Sequence, residues 1–197
     1  MANTILPHLL LRPCTKAVSK HLLVCPVTVP FCSIMSSTSP SLADLCDEHV
    51  ESPQRLSVVT PGLFFDYGKK KRFHGKIETV RCFESNPMVR TVLSTPGDNR
   101  VLVVDGGASR RVAILGDQIT ELAVQNQWAG IIVNGCIRDS AIIADMDIVK
   151  SLKAYPGEKG SVVNFGGVEF IPGHWLYADE DGIIVSESML HNESSKL

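Results

Sequence analysis

The sequence predicts a single-domain α/β sandwich, and three observations carry that expectation. Two apolar runs, residues 100–105 and 129–133, are each followed by a glycine turn, the mark of strands buried on both faces. Between them Ile119, Leu122 and Ala123 recur at helical spacing. Beyond them, short β-rich runs are separated by Gly166-Gly167 and Asp181-Gly182. Alternating elements followed by hairpins make a layered mixed fold.

The elements follow in order. Residues 41–47 read as a short helix, with Ser41 as N-cap and Asp44 three positions later. Residues 76–83 read as a strand with Ile77, Thr79, Arg81 and Phe83 on one face. A helix over 87–93 has Asn86 capping it and Pro87 in its first turn. The helix opened by Gly116 ends near Asn126, which is too polar to extend its buried stripe. Ile142, Ile143 and Met146 suggest a further short helix, and residues 161–165, 168–171 and 182–185 read as strands. No internal repeat is visible.

A chain of 197 residues holds one good core and leaves little room for a second. Charged residues make up 20% and apolar ones 44%, an ordinary globular balance. A net charge of -2 leaves no footprint for DNA. The run Lys69-Lys70-Lys71-Arg72 suits RNA or anionic lipid in principle, but such a run is usually a solvated turn. The six cysteines form no CxxC pair, so a reducing compartment is the simplest reading.

Residues 1–40 carry no Asp or Glu, while Arg12, Lys16 and Lys20 are basic, as in an organellar transit peptide. The alternative is an extension upstream of a start at Met35. Both readings place the segment outside a domain at 41–190, with a tail at 191–197. The first implies a mitochondrial protein, the second a cytoplasmic one. Leu9-Leu10-Leu11 and Leu22-Leu23-Val24 are too short to span a membrane, and Pro7, Pro13, Pro26 and Pro30 interrupt them.

Two motifs carry chemistry. Leu115-Gly116-Asp117-Gln118-Ile119 is a strand end turning into a helix, whose N-terminal N–H groups suit a carboxylate or phosphate. Val133-Asn134-Gly135-Cys136-Ile137-Arg138-Asp139 is a second strand end presenting a cation beside a possible metal ligand. Together they suggest a site for a small acidic substrate held on a divalent metal. A surface turn with a local ion pair is the bland alternative. Cys136 beside this site is either a nucleophile or an apolar thiol, and no histidine is local to it in sequence.

With Ala43-Asp44-Leu45-Cys46-Asp47, Val103-Val104-Asp105-Gly106-Gly107, Trp128-Ala129-Gly130, Asn164-Phe165-Gly166-Gly167-Val168 and Trp175-Leu176-Tyr177-Ala178-Asp179-Glu180-Asp181-Gly182 in this order, the chain resembles the RraA-like family. That family includes regulators of ribonuclease activity and class II 4-hydroxy-4-methyl-2-oxoglutarate aldolases. The resemblance, over about residues 42–188, implies a β/β/α swivelling-domain sandwich assembled as a homotrimer, with sites between subunits. It implies a lyase that binds a 2-oxo acid on Mg²⁺ or Mn²⁺ and releases pyruvate, with oxaloacetate decarboxylase activity alongside. Carried over, the backbone of Gly116, Asp117, Gln118 and Ile119 would bind the substrate carboxylate. Arg138 would grip the oxo-acid end, and Asp139 would hold the metal through water.

Two departures stand out. The resemblance implies an Asp or Glu three positions after Asp139, where this chain has Ile142; Asp145, a helical turn further on, is the nearest substitute. The segment between Tyr155-Pro156 and Ser161 is also shorter than the family pattern. These departures leave a rival: a non-catalytic regulator that binds a ribonuclease or another protein. An enzyme retuned to another oxo acid is a third reading. His74 and His174 sit in turn-like contexts, His49 is placed to cap the first helix, and Trp128 and Trp175 are core or contact residues. Asp105-Gly106-Gly107 is either pocket lining or a strand-ending turn.

Overall fold

The expected mixed sandwich is the fold observed. The structure, a computed structural model, describes residues 39–51, 56–145 and 157–191, all within one unit of contacts. Its centre is a seven-stranded sheet. Strands β1 (Leu56–Val58), β11 (Ile183–Ser186), β10 (Trp175–Ala178), β2 (Phe73–Arg81), β3 (Val101–Asp105) and β5 (Gly130–Asn134) lie side by side in that order. Strand β7 (Glu158–Lys159) joins the end of β2. The β2, β3 and β5 pairings are parallel, whereas β10 runs antiparallel to both β2 and β11.

Pleating divides the core between two faces. Leu102 and Val104 of β3 point with Val80 and Cys82 towards helices α2 (Pro87–Leu93) and α3 (Asp117–Gln125). Val101 and Val103 point the other way, against Val163 and Phe170 of the hairpin formed by β8 (Val163–Phe165) and β9 (Val168–Phe170). Each such side chain, fully buried, contributes roughly 1.5–3 kcal/mol. The layers are therefore hairpin, sheet and helices. A smaller cluster of Leu42 and Leu45 from α1 (Leu42–Glu48) packs on Tyr177 and Ile184. Helix α1 is capped as expected, with Ser41 Oγ accepting the Asp44 N–H at 3.2 Å.

Three local expectations need correction. Asn86 stands at the N-cap position of α2 but makes no side-chain cap bond, because its φ of -127° and ψ of -1° are not the extended backbone a cap requires. Its carbonyl accepts the Arg90 N–H instead. Strand β2 starts at Phe73 because β10 pairs with it from there, and it ends at Arg81 opposite Asp105. Phe83 thus lies beyond the strand and exposed, and Val80 is as buried as Thr79, so both faces of β2 are covered. Strand β10 was not legible as a strand at all.

Asn126 ends α3 and ties it to α2, its amide donating to the carbonyls of Leu93 at 2.9 Å and Leu122 at 2.8 Å. The basic run is spent locally: Lys70 donates to the Ala129 carbonyl and Arg72 pairs with Glu180. Among the described residues no helix is long and apolar enough to cross a membrane. The readings of residues 1–38, Met146, Tyr155, Pro156 and the tail from 192 lie outside the described residues.

Candidate active site

The two sequence motifs are brought together by a small parallel ladder on the helix face of the sheet. Strand β4 (Ala113–Leu115) pairs with β6 (Cys136–Ile137). One bond continues the ladder past β6, the Arg138 N–H donating to the Leu115 carbonyl at 3.1 Å. Leu115 immediately precedes the cap of α3, so the Arg138-Asp139 turn is fastened beside that helix N-terminus.

At the N-terminus Gly116 is extended, with φ -150° and ψ 172°, and supplies no side-chain cap. A carboxylate is already there. Asp117 Oδ1 accepts the Gln118 N–H at 2.6 Å, while the Ile119 N–H donates to the Gly116 carbonyl at 3.2 Å. Of the four backbone groups expected to receive a substrate, those of Gln118 and Ile119 thus have internal partners.

On the facing turn Arg138 Nε lies 3.2 Å from Asp139 Oδ2, with the two side chains 39% and 34% exposed. An exposed pair of this kind contributes at most about 1 kcal/mol to stability, so it is free to exchange partners at little cost. Asp139 has φ +58°, a left-handed conformation that Asp tolerates better than most residues. Its carbonyl accepts the N–H groups of Ile142 and Ile143 at 2.9 and 3.0 Å, opening α4 (Ser140–Asp145). Ile143 is buried in the core, whereas Ile142 is 50% exposed. The Asp145 side chain lies outside the described residues.

Among the described residues no group of three or more His, Cys, Asp or Glu side chains is placed to hold a metal. That excludes a closed zinc-type cage there. Asp139 is an accessible hard oxygen donor, the kind of group that Mg²⁺ or Mn²⁺ takes one or two of while keeping several waters.

Neighbouring candidates have structural roles. Asp105 Oδ1 accepts from the Gly107 N–H and from Asn134 Nδ2, both at 3.0 Å, so Asp105-Gly106-Gly107 is a turn that locks β3 to β5. Burial, with Asp105 adding to it, pushes the nearby Cys82 thiol up to about 11. Trp128 is buried, donates to the Thr95 carbonyl and carries the Arg100 guanidinium over its ring. Cys136 is a half-buried strand residue. Beside it runs a groove of about 750 Å³ that continues past Leu115 and Ile137 to Leu63, Phe65 and Tyr67. Those last three are more than half or half exposed at 54%, 78% and 50%. The sequence reading passed over them, although the apolar run Leu63-Phe64-Phe65 in a loop was a signal.

Residues 42–185 match the family model RraA-like, described as Aldolase/RraA. The chain belongs to the RraA-like family. It is 50% identical over 157 residues to an Aromatoleum aromaticum protein named for an inferred 4-hydroxy-4-methyl-2-oxoglutarate aldolase activity, covering 75% of this chain and 96% of that one. Among solved RraA-like folds, the RNA-processing inhibitor RraA from Thermus thermophilis is 33% identical with a TM-score of 0.71, over 81% of this chain and 99% of that one. A Geobacillus kaustophilus HTA426 structure described as an S-adenosylmethionine:2-dimethylmenaquinone methyltransferase is 44% identical with a TM-score of 0.70, over 77% and 97%. One RraA-like fold thus goes with names from more than one functional class, and the site must decide between them.

Proposed function

We propose that this protein is a divalent-metal-dependent 2-oxo-acid lyase that cleaves 4-hydroxy-4-methyl-2-oxoglutarate to pyruvate and decarboxylates oxaloacetate alongside. The observation that carries the reading is the Arg138–Leu115 backbone bond, which fastens the Arg138-Asp139 turn beside the N-terminus of α3. Support also comes from the 4-hydroxy-4-methyl-2-oxoglutarate aldolase names of its relatives.

In this account the substrate carboxylate binds the backbone of Gly116, Asp117, Gln118 and Ile119, replacing the Asp117 oxygen now on Gln118. Arg138 leaves Asp139 and grips the oxo-acid end. Cleavage breaks the C3–C4 bond; the C4 hydroxyl loses its proton as C4 becomes a carbonyl, and C3 gains one. The electron pair moves towards the 2-oxo oxygen, where the fixed charge of Arg138 stabilises it. Asp139 would hold Mg²⁺ or Mn²⁺ through water, and the bound ion supplies Lewis acidity at the 2-oxo group. Loss of carbon dioxide from oxaloacetate develops charge at the same oxygen, so the same residues serve both reactions. Self-assembly as a homotrimer accompanies this reading, with the exposed Leu63, Phe65 and Tyr67 suited to burial between subunits.

A second reading is a non-catalytic regulator that binds a ribonuclease. Ile142 favours it, since an isoleucine cannot orient a metal-bound water. Pyruvate release from 4-hydroxy-4-methyl-2-oxoglutarate with Mg²⁺, and again with EDTA, separates the two. Metal-dependent release supports the lyase, and none above the metal-only background supports the regulator.

A further inference from the structure

The two strands that feed the candidate site leave the central sheet side by side. Asp105, the last residue of β3, lies in register with Asn134, the last of β5. A clamp of side-chain and backbone bonds joins them there. Asp105 Oδ1 accepts from Asn134 Nδ2 and from the Gly107 N–H, both at 3.0 Å. The Asn134 carbonyl accepts the N–H groups of Gly106 at 2.9 Å and Ala108 at 3.2 Å. Beyond the clamp one exit runs through residues 106–112 into β4, and the other through Gly135 into β6. Ile114 of β4, fully buried, fills the notch between the exits. A Cβ on Gly106 would clash with its side chain, and one on Gly135 would meet its Cδ1 at 3.0 Å. The β4–β6 ladder is thus tied at its root by the Asp105 side chain. At its tip it is tied by the Arg138 N–H on the Leu115 carbonyl.

We propose that Asp105 is a positioning residue for Arg138, acting through Asn134 and the β4–β6 ladder. Without its oxygen the Gly107 N–H and the Asn134 amide lose their acceptor, and main-chain bonds alone hold the two exits together. Ile114 is then free to shift in its notch, and the strands that carry Gly116 and Arg138 shift with it. A guanidinium displaced by about 1 Å slows a reaction that develops charge at one fixed oxygen. That catalytic consequence rests on the lyase reading; the effect on the Arg138 turn does not. The clamp needs an acceptor oxygen rather than a charge, so an amide oxygen in the same place should serve. A carboxylate that touched metal or substrate would not be replaced so easily.

Hydrogen exchange of the Arg138 amide in the full chain tests this in Asp105→Ala and Asp105→Asn, with the amides of β10 and β11 as reference. In Asp105→Ala the protection of Arg138 is expected to fall about tenfold while the reference holds. Asp105→Asn keeps an acceptor oxygen and should stay within about threefold of wild type. Pyruvate release should follow the same order: kcat falls about 10–100-fold in Asp105→Ala, KM changes less, and Asp105→Asn recovers. Unchanged Arg138 protection in Asp105→Ala, a loss shared equally by β10 and β11, or no rescue by Asp105→Asn in either measurement overturns the proposal. A wild type that releases no pyruvate overturns the lyase reading alone, and exchange still decides the positioning role. Should Asp105→Ala not fold, Asn134→Ala takes its place, since it removes the amide donor and leaves the backbone bonds. Arg138 protection must then fall against the same reference, and an unchanged value overturns the proposal.

Discussion

The Arg138 N–H and the Leu115 carbonyl are joined at 3.1 Å, so the arginine-bearing turn is held by its backbone while its partly exposed side chain pairs with Asp139. Removing the guanidinium should leave the bond in place. Arg138→Ala is expected to lower kcat/KM for pyruvate release by about 100-fold or more, the scale of losing a charge-stabilising donor. Its melting temperature should stay within about 2 °C of wild type, because the exposed pair adds little stability. A fall of many degrees would make Arg138 a structural residue.

Gly106 lies where β3, β4 and β5 converge. A Cβ there would meet the Asn134 carbonyl oxygen at 2.8 Å and clash with the Ile114 side chain. The carbonyl is fixed, since it accepts the Gly106 N–H at 2.9 Å. Gly106→Ala should therefore cost about 1–3 kcal/mol in urea unfolding, as overpacking does. An unchanged urea midpoint would show that the β3–β5 turn has room this geometry denies.

Ile142 occupies the first turn beyond Asp139, half exposed. If a missing outer-sphere carboxylate limits the metal site, Ile142→Glu should raise turnover or metal affinity by about 10–100-fold. A folded variant with no gain in either would remove Ile142 as the defect.

Cys82 gives stability a dependence on alkaline pH. An unperturbed thiol ionises near about 8.5, whereas burial keeps this one neutral to about 11. Between those values the native state holds a proton that the unfolded chain has lost. The contribution is therefore complete below about pH 8.5 and lost as pH rises to about 11. Urea midpoints for wild type and Cys82→Ala, compared at intervals across that window, should converge as pH rises. A constant separation would contradict the assignment.

How much of this was legible in the sequence follows from where the information sits. The strands around Val103 and Ile132 and the helix around Ile119 were readable because burial imposes a run or a period on side-chain type. Strand β10 was not, because Trp175–Ala178 is four residues long and covered on both faces, leaving no alternation. Ser41 and Asn86 both look like caps, and only backbone dihedrals separate the one that bonds from the one that does not. The Gly116–Ile119 and Arg138-Asp139 motifs were visible as motifs. The Asp117 oxygen on Gln118 was not, since it depends on a rotamer rather than on a residue type.

The most direct measurement is pyruvate release from 4-hydroxy-4-methyl-2-oxoglutarate and oxaloacetate by protein beginning at Met35, with Mg²⁺ or Mn²⁺, with EDTA, and with Arg138→Ala as control. Turnover of both substrates is expected, stopped by EDTA and lowered about 100-fold or more in Arg138→Ala. Release no faster than the metal-only background, from a correctly folded protein, would contradict it and leave the chain a binding protein.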